Sequence, residues 1–453
     1  KKKETSWKGC IMSLWGFFSK SPSEELFQSA QKATQCGNFS EALRLLGFAF
    51  EKDSSFPPLY QLAAECLRET HSLEEASLFD VALENFSNPQ VFYDLGYYFV
   101  DVHLPRLAIP FLERAYHLDP TNLEIVFELA VAYRSHFQPQ KAKGLLTFVD
   151  TQQQFWPEFE LYWCSLLSDE TEGIREFIVD CREEFKTLPE DKERQRCLSA
   201  LEKLEECLFR YSLLKDPKKH IQPWQFIQYG ASILNYFEGN PPENDPSIGG
   251  RWVMLCGSSQ SLLAILYRLK RWLIALNRTP QKVLGEKDRD SEIVARILSH
   301  LLHLPYEILN ESTVQEPNTL LVFSDNRLIE SPSLEKIQQN QTLFAFNLHW
   351  LNHAMWTPDV AGLASQKYYF PWESELRLNP KSQKMQSLPP DIRAPEVIAQ
   401  EIALLPEDLQ DTKFEEILQF YSYYKDYLKG GKKGGKRRLS FRMDSPIPSS
   451  YFC

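Results

Sequence analysis

Residues 89–120 read PQVFYDLGYYFVDVHLPRLAIPFLERAYHLDP. This stretch contains Leu95-Gly96 followed by Phe99, and about twelve residues after the small pair comes Ala108. Two antiparallel helices that cross closely need small residues at the crossing, because a larger side chain would push the backbones apart. The stretch therefore predicts a tightly packed pair of helices.

The same pattern recurs along the first half of the chain. Ala42, Ala76, Ala108 and Ala142 each begin the inward face of a second helix, and they follow one another in steps of 34, 32 and 34 residues. A fixed period of this size is typical of helical repeats, in which each pair of helices packs on the next. The sequence therefore predicts an α-helical solenoid.

The spacing within residues 89–120 resembles that of the tetratricopeptide repeat family. The residues that carry the resemblance are Phe92, Leu95, Gly96, Phe99, Ala108, Leu112, Ala115 and the Asp119-Pro120 pair. Looser copies surround this one, and a long amphipathic helix at 190–215 is expected to cap the stack. We therefore predict an N-terminal segment at 1–22 and a tetratricopeptide-like domain at 23–215.

The resemblance implies a protein-binding concave surface, because the first helices of successive repeats line that side of such a superhelix. The predicted partner-binding residues are Gln61, Glu65, Arg68, Tyr93, Tyr97, Asp101, Phe127, Val131 and Arg134. Residues 21–156 contain 18 acidic and 9 basic side chains, which favours a basic or neutral partner peptide. The alternative is that the acidic excess is a solvated convex surface.

The second half of the chain has a different pattern. We predict a linker with a helix at 216–250, an α/β domain with C-terminal helices at 251–428, and a basic, flexible tail at 429–453. Short apolar runs at 252–256, 282–284, 306–309, 319–323 and 342–346 alternate with helical segments at 260–276 and 291–303. Strands that alternate with helices of this length predict a mainly parallel sheet.

A strand-to-helix junction in this domain is the predicted ligand site. The sequence WVMLCGSSQSLL places Gly257, Ser258, Ser259 and Ser261 where backbone amides and hydroxyls meet at a helix N-terminus, which suits a small anionic ligand. Asp325, at the end of the strand in TLLVFSD, is assigned to the same site. The alternative is that the serines only cap the helix.

Residues 289–309 followed by 319–325 resemble the core of Rossmann-like and phosphoribosyltransferase-like α/β domains. The resemblance implies a transferase of glycosyl or phosphoribosyl type, to which the repeats would recruit the substrate. Residues 323–327, FSDNR, supply one carboxylate and lack the small-residue loop of the phosphoribosyltransferase motif. We therefore favour a protein-interaction scaffold, keep the transferase as the alternative, and leave catalytic residues and cofactor unassigned.

Composition narrows the function classes. The 453 residues include 13% aromatic side chains, and the formal net charge of −11 gives no support to wholesale nucleic-acid binding. Nine cysteines without a CxxC pair predict reduced thiols in a cytoplasmic protein. The sequence has no apolar run long enough to span a membrane.

His349 and His353 would share one helix face, but Leu351-Asn352 replaces the Glu of a zinc motif, so we predict no metal site.

Overall fold

The computed structural model gives a two-unit protein, and it describes most of the chain. The described residues are 22–151, 153–187, 189–215, 217, 220–235, 251–351, 353–373, 375–378, 385–406, 411–430, 436–442, 444 and 446–447. The first compact unit ends at Ser165, and the second begins at Leu166.

The first unit is built from successive pairs of helices joined by short turns. Its helices are α1 (Pro22–Gln35), α2 (Phe39–Lys52), α3 (Pro57–Glu69), α4 (Leu73–Glu84), α5 (Pro89–Asp101), α6 (Pro105–Leu118), α7 (Leu123–Ser135), α8 (Pro139–Thr147) and α9 (Phe155–Leu167), the last of which crosses the division between the units. Prolines at the first turn and asparagine caps such as Asn88 and Asn122 set many of the helix starts.

The turn inside each helix pair repeats one backbone geometry. Gly37, His71, His103 and Phe137 occupy equivalent positions, and all four have a left-handed backbone with φ between 59° and 74°. In each turn the following amide donates back into the last turn of the preceding helix, as Leu104 does to the carbonyl of Phe99. Four copies of one turn confirm the helical repeat.

Small residues lie at the helix crossings, as the sequence predicts. Ala42, Ala76, Ala108 and Ala142 are all buried. Gly96 is required where α5 crosses α6, because a Cβ atom there would lie 2.5 Å from Cγ of Leu112. The close approach of paired helices therefore depends on these positions.

Aromatic rings fill the space between the repeats of the first unit. Tyr60 is at the centre, with its ring centroid 4.9 Å from that of Phe50, 5.8 Å from that of Phe92 and 5.9 Å from that of Phe111. The Tyr60 hydroxyl donates to the carbonyl of Ser54 at 2.7 Å, so the ring is buried without leaving a polar atom unpaired. Much of the aromatic content of the first unit is core.

The second unit contains further helices and the sheet. Its helices are α10 (Ile174–Phe185), α11 (Lys192–Ser212), α12 (Ile221–Tyr229), α13 (Ser259–Ala275), α14 (Arg289–Leu302), α15 (Pro395–Ala403) and α16 (Thr412–Tyr423). Its strands are β1 (Ser232–Ile233), β2 (Arg251–Cys256), β3 (Lys282–Gly285), β4 (Tyr306–Ile308), β5 (Thr319–Asp325), β6 (Thr342–Leu348), β7 (Val360–Tyr369), β8 (Glu375–Leu378) and β9 (Met385–Leu388).

The helix predicted to cap the repeats, α11, belongs to this second unit. Buried Arg210 on α11 donates to the carbonyls of Ile227 (2.8 Å) and Gln228 (3.3 Å), which are among the last carbonyls of α12. A guanidinium at a helix C-terminus pairs carbonyls that have no partner within the helix. The division between the compact units falls at Ser165–Leu166, within α9, so that α11 is part of the second unit.

The seven-stranded sheet is parallel in every strand pair of the described residues. Five of its strands lie side by side in the order β4, β3, β5, β6 and β7. On the other side of β7, its first residues pair with β1 and its later residues pair with β2. Strands β8 and β9 form a separate antiparallel hairpin. The predicted fold class, a tetratricopeptide-like solenoid followed by an α/β domain with a mainly parallel sheet, is confirmed.

Strand β7 was not predicted, although it pairs with three other strands. Its first residues are VAGLAS, a run of mostly small side chains in which Val360 is the single β-branched residue and none is aromatic. Gly362 is needed there, because a Cβ atom would lie 2.5 Å from the carbonyl oxygen of Phe346. Neighbouring strands and helices impose the extended conformation.

The region around His349 also differs from the prediction. Residues 342–348 form β6, and no helix follows in the described residues up to His353, so the predicted helix face shared by His349 and His353 does not exist. The apolar run TLFAFNL is fully buried within the parallel sheet.

Residues 436–442, within the predicted flexible tail, pack against distant parts of the chain. Arg438 and Phe441 are buried, and Phe441 forms a backbone bridge with Ala354. The Arg438 guanidinium forms a buried, two-pronged ion pair with Asp359, with contacts of 2.7 and 3.1 Å. These long-range partners give residues 436–442 an ordered position despite their three consecutive basic side chains.

Candidate functional site

The predicted partner-binding residues lie on the first helices of successive repeats, α3, α5 and α7. Gln61, Glu65, Arg68, Tyr97 and Asp101 are exposed. Tyr93, Phe127 and Val131 are half-buried. We call this set the first-helix face.

Two tyrosines and a group of carboxylates form the centre of the first-helix face. The rings of Tyr93 and Tyr97 stack with centroids 5.9 Å apart. Burial, together with the nearby carboxylates of Glu128 and Glu124 on α7, raises the pKa of Tyr93 to about 12. Burial and the Glu160 carboxylate raise the pKa of Glu128 to about 7. Aromatic rings beside carboxylates suit a lysine or arginine side chain.

Glu124 and Glu128 were missed by the sequence analysis. They are four residues apart and flank Phe127, which was predicted. The i,i+4 spacing places both on one side of α7, and that spacing was the available signal.

Arg134, by contrast, is not part of the exposed face. Its side chain is 7% exposed and forms an ion pair with Glu160, whose side chain is 6% exposed. The prediction of an outward-pointing Arg134 is therefore corrected: α9 covers this end of α7, and the arginine neutralises a buried carboxylate there.

At the α3 end of the face, the polar residues are engaged with one another. Arg68 pairs with Asp80 on α4, and Gln61 donates to Glu65 at 3.1 Å. Both contacts are exposed, so a charged ligand can displace them at little cost.

In the second unit, the predicted turn at Gly257 begins α13. The Ser258 hydroxyl oxygen accepts from the amide of Ser261 at 3.1 Å, and the Ser261 hydroxyl oxygen accepts from the amide of Ser258 at 2.9 Å. This reciprocal arrangement is a capping box. The capping role, which the sequence left open as an alternative, is therefore observed.

A cavity of about 280 Å³ lies beside this turn. It is open to solvent on one side, and its walls are mainly apolar with a few polar side chains. The lining residues are Asn235, Trp252, Leu255, Cys256, Gly257, Ser261, Ala264, Ile265, Arg268, Leu363 and Tyr368. Gly257 and Ser261 are thus the predicted ligand-site residues that contribute to this cavity.

Asp325 lies apart from that cavity, at the carboxyl end of β5. It accepts from Asn347 at 2.8 Å and pairs with Arg327, whose guanidinium and backbone amide hold the pKa of the carboxyl below its usual range against the effect of burial. Burial and Arg327 lower the pKa of neighbouring His349 to about 4. The structure therefore does not bring Asp325 and Gly257 into one pocket.

Two further observations apply to the described residues. They contain no group of three His, Cys, Asp or Glu side chains that could hold a metal ion. None of the helices in the described part of the chain is long and apolar enough to cross a membrane.

Comparison with known proteins gave structural neighbours only. No family model and no curated protein match the chain. One similar solved structure is the tetratricopeptide protein TTC0263 of Thermus thermophilus, with 14% sequence identity over 40% of this chain and 98% of the other, and a TM-score of 0.24. A second is the tetratricopeptide protein YrrB, described as having an unusual peptide-binding site, with 20% identity over 38% of this chain and 89% of the other, and a TM-score of 0.22. A third is MamA of Desulfovibrio magneticus, with 18% identity over 37% of this chain and 97% of the other, and a TM-score of 0.24.

The repeat geometry of the chain itself therefore defines the class of its first unit. Helix pairs with buried alanines at steps of 34, 32 and 34 residues, and four equivalent left-handed turns, are those of a tetratricopeptide-type solenoid. The second unit is an α/β domain with a parallel sheet.

Proposed function

We propose that the protein is an interaction scaffold whose first-helix face binds a basic or neutral peptide segment. The observation that carries the proposal is the stacked Tyr93–Tyr97 pair beside Glu124 and Glu128. The half-buried Tyr93 and the exposed Tyr97 supply rigid contact area, and the exposed Glu124 carboxylate near them attracts a cation. The peptide-binding description of YrrB agrees with this proposal but does not test it.

A binding experiment on the full chain tests the proposal. We expect peptides with one aromatic and several lysine or arginine residues to bind better than versions in which glutamate replaces the basic residues. Fluorescence anisotropy at low and high salt measures both affinities, and salt should weaken the basic series.

Substitution of the two tyrosines should reduce the affinity for the basic peptide. The double variant Tyr93→Ala with Tyr97→Ala should weaken the best basic peptide at least tenfold, about 1.4 kcal/mol. Tyr423→Ala is the control, since that tyrosine is exposed on α16 of the other unit. Unchanged affinity in the double variant, or tighter binding of the acidic series, would contradict the proposal.

For the second unit we propose the binding of a small molecule in the cavity beside Gly257. The supporting observation is the half-open cavity itself, whose lining combines apolar walls with the polar side chains of Tyr368 and Arg268. The sequence favours an anionic ligand here. A transferase activity and a Rossmann-like organisation stay predictions; the parallel sheet is compatible with both, whereas Asp325 lies outside the cavity lining.

We also propose a cytoplasmic location. Free cysteines on buried positions, such as Cys66 and Cys207, support a reducing environment.

A further inference from the structure

One carboxylate at the centre of the first-helix face has no partner among the described residues. Glu128 on α7 is half-buried, neither of its carboxylate oxygens is fully buried, and it forms no hydrogen bond or ion pair with any residue that the structure describes. Glu160 on α9, by contrast, is paired with Arg134. A carboxylate that has lost part of its water and gained no cation is unfavourable in its charged form, and a ligand cation that reaches it relieves that cost.

Two tyrosine rings lie next to this carboxylate. Tyr93 and Tyr97 are one turn apart on α5, and their stacked rings have an angle of 24° between the ring planes. Burial raises the pKa of Tyr93 most, and Glu128 has the largest effect of any charged group on it, so this carboxylate lies close to the ring. Tyr97 is 46% exposed, so its ring is open to a ligand.

This combination favours an arginine side chain over a lysine side chain. A guanidinium is planar and can lie on an aromatic ring while its N–H groups donate to a carboxylate, whereas an ammonium is a compact, strongly hydrated charge. At a half-buried carboxylate, the more weakly hydrated guanidinium loses less water on binding. The position of Glu128 therefore discriminates between the two cations, and the exposed Glu124 one turn earlier does not.

We propose that the first-helix face binds an arginine side chain of its partner peptide, that the guanidinium stacks on Tyr97 and pairs with Glu128, and that protonation of Glu128 releases it. This inference rests on the proposed peptide-binding role. It names the side chain that is recognised and the proton that competes with it.

The groups around Glu128 allow this competition near neutral pH. Burial, with a smaller effect of the Glu160 carboxylate, raises the pKa of Glu128 to about 7. Glu160 faces Glu128 from α9 and is held in a buried ion pair with Arg134. Tyr93 faces it from α5 and stays neutral, because its pKa is about 12. The charge of Glu128 therefore changes between pH 6 and pH 8.

Acidification has opposite effects on peptide binding and on stability. The pKa of Glu128 is higher in the folded chain than its ordinary value of 4.5, so the folded state binds this proton more tightly than the unfolded state and gains stability from it as the pH falls from 8 to 6. The arginine needs the charged carboxylate, whose fraction falls about tenfold over the same interval. Weaker binding at pH 6 is thus distinct from unfolding.

The affinities of one set of labelled peptides at two pH values test the inference. The probe is rhodamine-labelled Gly-Trp-Gly-Arg-Gly-Arg-Gly, with versions that carry lysine or the uncharged citrulline in both arginine positions. Fluorescence anisotropy with the full chain is the measurement. At pH 8 we expect the arginine peptide to bind at least tenfold more tightly than the citrulline peptide and about threefold more tightly than the lysine peptide. At pH 6 its affinity should be about tenfold lower than at pH 8.

Three glutamate variants locate the effect. Glu128→Gln should weaken the arginine peptide about tenfold at pH 8 and bind it equally at both pH values. Glu124→Gln, at an exposed position one turn earlier, should weaken it by about threefold or less and keep the pH effect. Glu84→Gln is the control, since Glu84 is exposed on α4, outside the first-helix face, and should change neither quantity. Circular dichroism at both pH values checks that each variant is folded.

The outcomes separate this inference from the peptide-binding role. If the three peptides bind equally, or if Glu128→Gln keeps the pH effect, the inference is wrong while the peptide-binding role stands. If no peptide of the series binds at either pH, both proposals fail.

Discussion

Helix packing in the first unit joins residues that are near one another in the sequence, whereas the second unit is closed by contacts between distant segments. In the first, Gly96 of α5 meets Leu112 of α6, the next helix. In the second, the Tyr229 hydroxyl bonds to the carbonyl of Arg442, 213 residues away. Local contacts leave a periodic signal in the sequence, and distant ones do not.

Of the substitutions considered, Arg438→Met is expected to change the free energy of unfolding most, because it removes a contact between distant segments of the second unit. Asp359 would lose its two-pronged partner and keep the amide of Leu343, 2.8 Å away, as a donor and the charge of nearby Arg278. Removal of one member of a buried ion pair costs about 3 to 5 kcal/mol, and because Arg278 compensates part of the charge we expect a loss at the low end, about 3 kcal/mol, in the free energy of unfolding. Chemical denaturation followed by tryptophan fluorescence measures it.

The neighbouring residue gives the control. Arg437 is exposed and lies 3.7 Å from the Glu335 carboxylate, so Arg437→Met should change the free energy of unfolding by less than about 0.5 kcal/mol. Equal effects of the two substitutions would show that the C-terminal segment does not hold the second unit together.

The contrast between local contacts in the first unit and distant contacts in the second also explains which parts of the fold could be predicted from the sequence. The alanine period identified the helical repeats, and runs of apolar residues located β2, β3, β4, β5 and β6 to within a few residues. The strand β7 and the packing of residues 436–442 could not be predicted, because their positions depend on distant partners such as Asp359 rather than on local pattern.

The candidate sites follow the same rule. Positions on repeated helices, such as Tyr93 and Tyr97, could be assigned from the period alone. The cavity lining could not, because Tyr368 comes from β7 and meets Gly257 only through the sheet. Arg134 was misplaced because its partner Glu160 lies on the looser repeat that follows, where the period is weak.

A smaller effect is expected from two glycines in the repeats. Gly96→Ala gains helix propensity but places a Cβ atom 2.5 Å from Leu112, so we expect a net loss of about 1 to 2 kcal/mol. Gly144 lies within α8 with nothing within 4 Å of a Cβ atom, so Gly144→Ala should stabilise by about 0.5 to 1 kcal/mol. Thermal unfolding of both variants is the measurement, and the same sign in both would contradict the close crossing at Gly96.

The smallest effects concern the repeated turn. His103 has φ 63° in the position that Gly37 fills with φ 74° in the first repeat. A side chain in the left-handed region costs about 1 kcal/mol, and glycine recovers part of it at the expense of a more flexible unfolded chain. We therefore expect His103→Gly to stabilise by roughly 0.5 kcal/mol and Gly37→Ala to destabilise by about 1 kcal/mol, both measured by urea denaturation. If His103→Gly destabilised the protein or Gly37→Ala stabilised it, side-chain contacts, rather than the backbone geometry shared by the four turns, would decide which residue each turn accepts.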